Sequence, residues 1–458
     1  MNYLTEVVYL IASVLFILGL KGLSHPETAR RGMHFAEIGM LLAIIGTLVN
    51  GHIVTWTWII TGVAIGSAIG AAMAIFMPMT AMPQRIALSH AFGALAAVLV
   101  GINEYIEKGA HNELSNFLMG AIGFEVLFGA LTVTGSLMAF GKLSELIKSA
   151  PITYKGQNFI NITLFFTAFG MFVYLIFFPY NTTIFYVMIA LAFLIGIFIV
   201  LPIGGADMPV VISLMNSYAG LAIAATGFAI DNKVLIIAGS LDGASGFILS
   251  IIMSQAMNRS FTNVLFGAVG SSQVDSSALA EERPITRVGI EDTKFILEQA
   301  DRVVVVPGYG MAVAQAQHTV RELSDELDKH GIAVEFAIHP VAGRMPGHMN
   351  VLLAEANISY DQLLEMETIN PTMDSVDVCI IIGANDVVNP AARTDKSSPI
   401  YGMPIIDVDK ARTVIVMKRS MAAGFAGIEN PLFYQSNTKM LFGDAKKVLQ
   451  ELVAEFKK

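Results

Sequence analysis

Nine stretches of this chain are apolar enough, and long enough or nearly so, to cross about 30 Å of hydrocarbon as helices. They run over residues 3–23, 35–49, 56–77, 86–102, 117–140, 159–178, 183–203, 209–230 and 234–257. Lipid offers backbone polar groups no partner, so this pattern drives the first half of the chain into a helical bundle. Charged residues make up 14% of the 458, where about 25% is usual for a soluble protein. The mean hydropathy is +0.63. The net charge of −9 argues against nucleic acid as a partner, because such a site needs a basic face. The first stretch has no basic leader or cleavage site, and is expected to stay as a membrane helix.

Lysine and arginine in the short connections set the orientation. The first, third and fifth connections carry Lys21, Arg30, Arg31, Arg85, Lys142, Lys148 and Lys155, and Arg259 follows the ninth stretch. The opposite side carries Lys108 and Lys233. This places the N-terminus outside and everything after the ninth crossing in the cytoplasm, as expected for a multi-pass protein of a bacterial inner membrane. Small residues such as Gly93, Ala94, Ala97 and Gly101 in the fourth stretch, and Gly220, Ala224 and Gly227 in the eighth, suit close helix packing.

Polar side chains on such helices face protein or water, and an ionisable one is a candidate functional group. His90 is the side chain suited to take and release a proton near neutral pH; packing by a hydrogen-bonded histidine is the alternative. Asn216 could orient a water or that histidine, or join two helices. Glu125 and Asp242 are further candidates. Asp207, just before the eighth stretch, reads as a helix-capping carboxylate or as a gate group at the cytoplasmic mouth.

The chain divides into a membrane segment over 1–260, a polar Ser-rich tether over 261–290 and a soluble segment over 291–458. In the soluble segment helical and strand patterns alternate: helix 291–299, strand 303–306, helix 312–329, strand 333–338 and helix 348–356. A strand over 376–382, a short strand near Ile405, a strand over 413–417 and a helix over 445–456 follow. Alternation of this kind folds as a doubly wound, Rossmann-like parallel sheet. After the run Val303–Val306 comes Gly308-Tyr309-Gly310-Met311-Ala312-Val313, a tight turn between strand and helix. Amides and the positive end of a helix meet there, which suits a dinucleotide diphosphate. No carboxylate follows the second strand, which ends at His339, and Val313 stands where a third fingerprint glycine is usual. Lys418-Arg419-Ser420 instead closes a strand with two cations and a hydroxyl, which suits a 2′-phosphate and favours NADP(H) over NAD(H). Gly383-Ala384-Asn385-Asp386 ends the fourth strand at the edge where ligands sit; Asp386 could contact the nicotinamide ribose, sense protons or serve only as a turn residue. Cys379, the only cysteine, reads as a buried structural thiol. No second glycine fingerprint, metal cluster or Ser/His/Asp set appears.

Met208-Pro209-Val210-Val211 after Gly205-Ala206-Asp207, Met257-Asn258-Arg259-Ser260, the 308–317 turn and helix, the 339–350 segment HPVAGRMPGHMN, Gly383–Asp386 and 418–421 occur in this order. Together they closely resemble the β subunit of proton-translocating NAD(P)+ transhydrogenase, over essentially the whole chain. The resemblance implies hydride transfer between NAD(H) on a separate α subunit, of one or two chains, and NADP(H) on this chain, coupled to inward proton movement. It implies a dimer of αβ units in the bilayer. Gly308, Gly310 and Arg344 would lie against the pyrophosphate, Lys418, Arg419 and Ser420 around the 2′-phosphate, and Asp386 near the nicotinamide. His90, Asn216 and Asp207 would serve the proton path. The family's lid loop resembles Gly424-Phe425-Ala426-Gly427, with Phe425 where a tyrosine is expected. Asp242 is not carried over. The rival reading is an ion channel or transporter whose cytoplasmic Rossmann-like domain senses a nucleotide. It lacks a carbonyl filter, since the only Gly-Tyr-Gly lies in the soluble segment. A membrane-anchored dehydrogenase is a third, and does not justify nine crossings.

Overall fold

The computed structural model describes residues 2–49, 56–148, 151–204, 207–257, 284–345, 347–396, 398, 400–421 and 428–458. Residues 258–260, most of the tether and the 424–427 loop with Phe425 lie outside them. The chain forms two compact units, 1–203 with 211–250 and 204–210 with 251–458.

All nine apolar stretches are helical: α1 (Asn2–Gly22), α2 (Pro26–Val49), α3 (Trp56–Phe76), α4 (Met82–Ala110), α5 (Asn116–Leu143), α6 (Gln157–Phe177), α7 (Thr182–Val200), α8 (Met208–Ala229) and α9 (Lys233–Ala256). Each is long and apolar enough to cross a membrane, so the chain is a multi-pass membrane protein. Several orienting cations lie within helix ends and not in free loops: Arg30 and Arg31 in α2, Arg85 in α4, Lys142 in α5. Lys142 is 1% exposed. Its ammonium donates to the carbonyls of Val200, Leu201 and Ile203 at 3.2, 2.5 and 2.6 Å, and so caps the last turn of α7. In the first unit α5 packs along α4 and α7, with Met119, Ile122, Val126 and Leu131 buried. The approach is close because α4 is small there: a Cβ on Gly101 would sit 2.7 Å from Val126.

The second unit is a six-stranded, wholly parallel sheet. Its strands are β1 (Arg302–Pro307), β2 (Ala333–Ile338), β3 (Leu363–Glu365), β4 (Val378–Ile382), β5 (Thr413–Lys418) and β6 (Thr438–Phe442), in the order β3-β2-β1-β4-β5-β6. That is the order of a doubly wound dinucleotide-binding sheet, with its switch point between β1 and β4. Val303–Val306, Cys379–Ile382 and Val414–Val416 are almost wholly buried, as parallel strands covered on both faces must be. Helices α10 (Ile290–Glu298), α11 (Tyr309–Val313), α12 (Gln317–Lys329), α13 (His348–Glu355) and α14 (Ala445–Phe456) complete it.

Three expectations change. The helix expected over 312–329 is two, α11 and α12. Gln315 adopts a left-handed conformation (φ 48°), and the Gln315 and Ala316 N–H groups donate to Ala312 and Met311 carbonyls, closing α11 in a Schellman turn. The segment near Ile405 is buried but is not a strand: the Ile405 carbonyl accepts from the Asn370 amide, and the Asp407 N–H donates to that same side chain. Two strands were not expected: β3, which pairs with β2 at the sheet edge, and β6, which follows the strand ending at Lys418. Residues 286–288, at the end of the tether, bond to Met440 of β6.

Candidate functional site

Register places the soluble candidates together. Pro307, Ile382 and Met417 are aligned across β1, β4 and β5, so Gly308, Gly383 and Lys418 emerge side by side at the carboxyl edge. The turns after β1 and β4 are locked to each other. The Gly308 N–H donates to the Ile382 carbonyl at 2.9 Å and the Gly310 N–H to the Gly383 carbonyl at 3.0 Å. A Cβ on Gly308 would lie 2.4 Å from the Gly383 oxygen, and one on Gly383 (φ +69°) 2.3 Å from the Met311 nitrogen. These glycines are therefore required by contact between two backbones, and the two glycine amides are committed within the protein. Met311 and Ala312 are buried in the core, at 0% and 1% exposure, while Val313 is 54% exposed.

The rim is charged and aromatic. Arg344 is 7% exposed as a residue, and its guanidinium lies over the Tyr309 ring, 4.2 Å from the centroid. Arg344 is set by a neighbour the sequence did not single out: His348, fully buried in the first turn of α13, accepts the Arg344 N–H at Nδ1, 3.1 Å away. Only its nearness to Arg344 in sequence hinted at this. On the other flank the Asn430 amide donates to the Asn385 side-chain and main-chain oxygens at 3.0 and 3.1 Å, and the Asn385 amide lies 3.4 Å from Asp386. Lys418 is half-buried, with its ammonium over the Phe433 ring, 4.5 Å from the centroid. Burial pulls its pKa below the usual lysine range, opposed by the charge of Asp386. Arg419 and Ser420 are exposed beyond it. A half-desolvated ammonium beside exposed donors gains from an anion, which fits a phosphate. At the end of β2, His339 is buried between two backbone partners: Nε2 faces the Pro404 carbonyl at 2.8 Å and Nδ1 accepts the Val341 N–H. Burial lowers its pKa, so it is neutral and offers no carboxylate-like acceptor to a ribose 2′-hydroxyl.

In the membrane unit, side chains from three helices converge. Asn216 of α8 lies within hydrogen-bonding reach of the His90 imidazole of α4, and its amide donates to Oδ1 of Asp242 on α9 at 3.1 Å. His90 Nδ1 is buried with no partner among the described residues. Glu125, fully buried on α5, stands apart: it accepts from Thr226 of α8 at 2.7 Å and lies against Gly101. Asp207 is buried immediately before α8.

The sequence profile of the family described as NAD(P) transhydrogenase beta subunit matches residues 5–455. Among similar proteins, the NAD(P) transhydrogenase subunit beta of Rhodospirillum rubrum is 49% identical over 459 residues, covering 98% of each chain, and that of its strain ATCC 11170 matches equally.

Proposed function

The chain belongs to the NAD(P) transhydrogenase beta subunit family, and from that premise we propose that it carries NADP(H) and couples its redox change to proton translocation. The reaction is NADH + NADP+ + H+ outside → NAD+ + NADPH + H+ inside, with NAD(H) held by the α subunit. The observation that carries this reading is the carboxyl edge of the sheet: two interlocked glycine turns flanked by Arg344 on one side and Lys418, Arg419 and Ser420 on the other.

The bound nucleotide supplies the hydride chemistry, which needs no protein nucleophile, only two nicotinamide rings in contact and kept dry. The chain's own residues bind and orient. Lys418, Arg419 and Ser420 hold the 2′-phosphate. Arg344 and the turn Gly308-Tyr309-Gly310, with Met311, Ala312 and Val313 behind it, bear on the pyrophosphate. Gly383, Asn385 and Asp386, braced by Asn430, face the nicotinamide end. In the segment 1–260, His90 takes and releases the proton, Asn216 orients it and Asp207 gates the cytoplasmic end. Residues 261–290 tether the segment 291–458, which lies in the cytoplasm beneath a bacterial inner membrane. The assembly is a dimer of αβ units. Protonation and the affinities for NADP+ and NADPH are linked, and the linkage is reciprocal.

Sealed vesicles holding this chain and its α partner test the proposal. NADPH and an NAD+ analogue are added, and analogue reduction is followed together with internal pH. Reduction with an uncoupler-sensitive pH change is expected; nucleotide binding with neither would overturn it.

A further inference from the structure

Asn216 is not the end of the polar chain that begins at His90. An asparagine amide has one acceptor oxygen and one NH2 group, and the bond from Nδ2 to Asp242 Oδ1, 3.1 Å long, fixes which way round it stands. The amide oxygen is thereby turned to accept from the imidazole. His90 Nδ1 is buried without a hydrogen-bond partner among the described residues, and Asn216 lies within reach of the ring, so we take Nδ1 as the nitrogen that receives a proton and Nε2 as the one turned to Asn216.

We propose that Asp242 is a positioning and charge-compensating residue of the proton site, acting on His90 through the Asn216 amide. The inference rests on the reading of His90 as the protonated group. When a proton arrives at Nδ1, Nε2–H donates to the Asn216 oxygen, and the amide N–H donates to the carboxylate. The Asp242 carboxylate, exposed at the surface of this chain, faces the new imidazolium across one amide, and an opposite charge at that range favours the charged form. A carboxylate within a membrane helix is costly without such a donor, and Asn216 supplies it.

Packing holds the arrangement. Helices α8 and α9 meet at glycines: a Cβ on Gly246 would lie 2.8 Å from Asn216 Nδ2 and 2.7 Å from the Ser217 nitrogen, and the Ser217 hydroxyl donates to the Gly243 carbonyl at 2.8 Å. The other ionisable groups on the packed helices have contacts of their own, with Arg85 Nε and Glu125 Oε2 left without a hydrogen-bond partner among the described residues. Arg85, on α4, donates to the Met77 carbonyl. Glu125, on α5, accepts from Thr226 beside Gly101, three turns along α4 from His90. Tyr218, on α8, has its ring against Phe128. Asp242 is the carboxylate in the His90 chain.

The test uses the complete αβ complex in sealed vesicles, with proton pumping measured against pH. Asp242→Asn keeps the shape and the acceptor but removes the charge; it should move the His90-dependent limb to lower pH by about one unit, a tenfold loss of proton affinity. Asp242→Glu should keep the wild-type profile. Asp242→Ser repeats the neutralisation if the asparagine variant does not assemble. A neutral variant whose profile superimposes on the wild type, or a glutamate variant displaced as far as the asparagine one, would refute the role of Asp242. His90→Ala is run alongside: if it pumps normally, the reading of His90 itself falls, and if it is inactive while Asp242→Asn is unshifted, only the present inference falls.

Discussion

Adding one methyl group at Gly383 should dismantle the soluble site. The Cβ of Gly383→Ala would stand 2.3 Å from the Met311 nitrogen and 2.5 Å from Gly310 Cα and carbonyl carbon, where ordinary contact begins at 3.4 Å. All three neighbours are backbone, so no side chain can rotate away, and the two turns must part by about 1 Å. Holding alanine at φ +69° costs about 1–2 kcal/mol, and overpacking about 1–3 more. The total, about 2–5 kcal/mol, is a large part of a domain stability of about 5–15. It shifts the opening of the paired turns by about 30-fold to a few thousand-fold. The amides to watch are Gly308 and Gly310, which donate to Ile382 and Gly383. Hydrogen exchange of peptides spanning 308–316 in the reconstituted complex should accelerate, and NADPH affinity should fall in step. Unchanged exchange together with unchanged affinity would refute the interlocked-turn account.

Lys418→Met should weaken NADPH binding by about 10- to 100-fold, from a charge-assisted contact worth about 1.5–3 kcal/mol, and change NADH binding little; titration calorimetry of both nucleotides decides it. Because burial holds the Lys418 pKa below the usual range, NADPH affinity should decline with rising pH sooner than an ordinary lysine would allow. His339 has a folded-state pKa lowered by burial, so the unfolded chain takes up its proton first. Its contribution is complete above about pH 6.5 and is lost as pH falls below that. Unfolding midpoints of the soluble unit at pH 7.5 and 5.5 should show this, and His339→Gln should flatten the slope. Cys379 is fully buried and its thiol pKa is pushed up by burial; it should resist maleimide in the folded protein and react in denaturant.

That the nine apolar stretches are helices, and where most strands lie, was legible in the sequence because those signals are local, while helix ends such as Pro26 of α2 and Ala110 of α4 ran well past the apolar runs. A run of apolar residues long enough to span lipid is helical whatever surrounds it, and Val303–Val306 with a glycine turn behind it specifies a buried parallel strand. β6 escaped because it is only five residues long with Lys439 among them, so its pattern is weak. The break at Gln315 escaped because a left-handed residue there is usually glycine or asparagine. Lys142 read as a loop cation because its partners, the Val200, Leu201 and Ile203 carbonyls, lie some 60 residues away. The same holds for the sites. Residue types nominated His90, Asn216, Asp242, Gly308 and Lys418 one by one. Folding alone joined Asn216 to Asp242, 26 residues on, and Thr226 to Glu125, 101 residues back. It also closed the Gly383 turn onto Gly310. Hydrogen bonds and backbone contacts act over about 3 Å of space and carry no memory of separation along the chain, so which candidates meet is decided by packing.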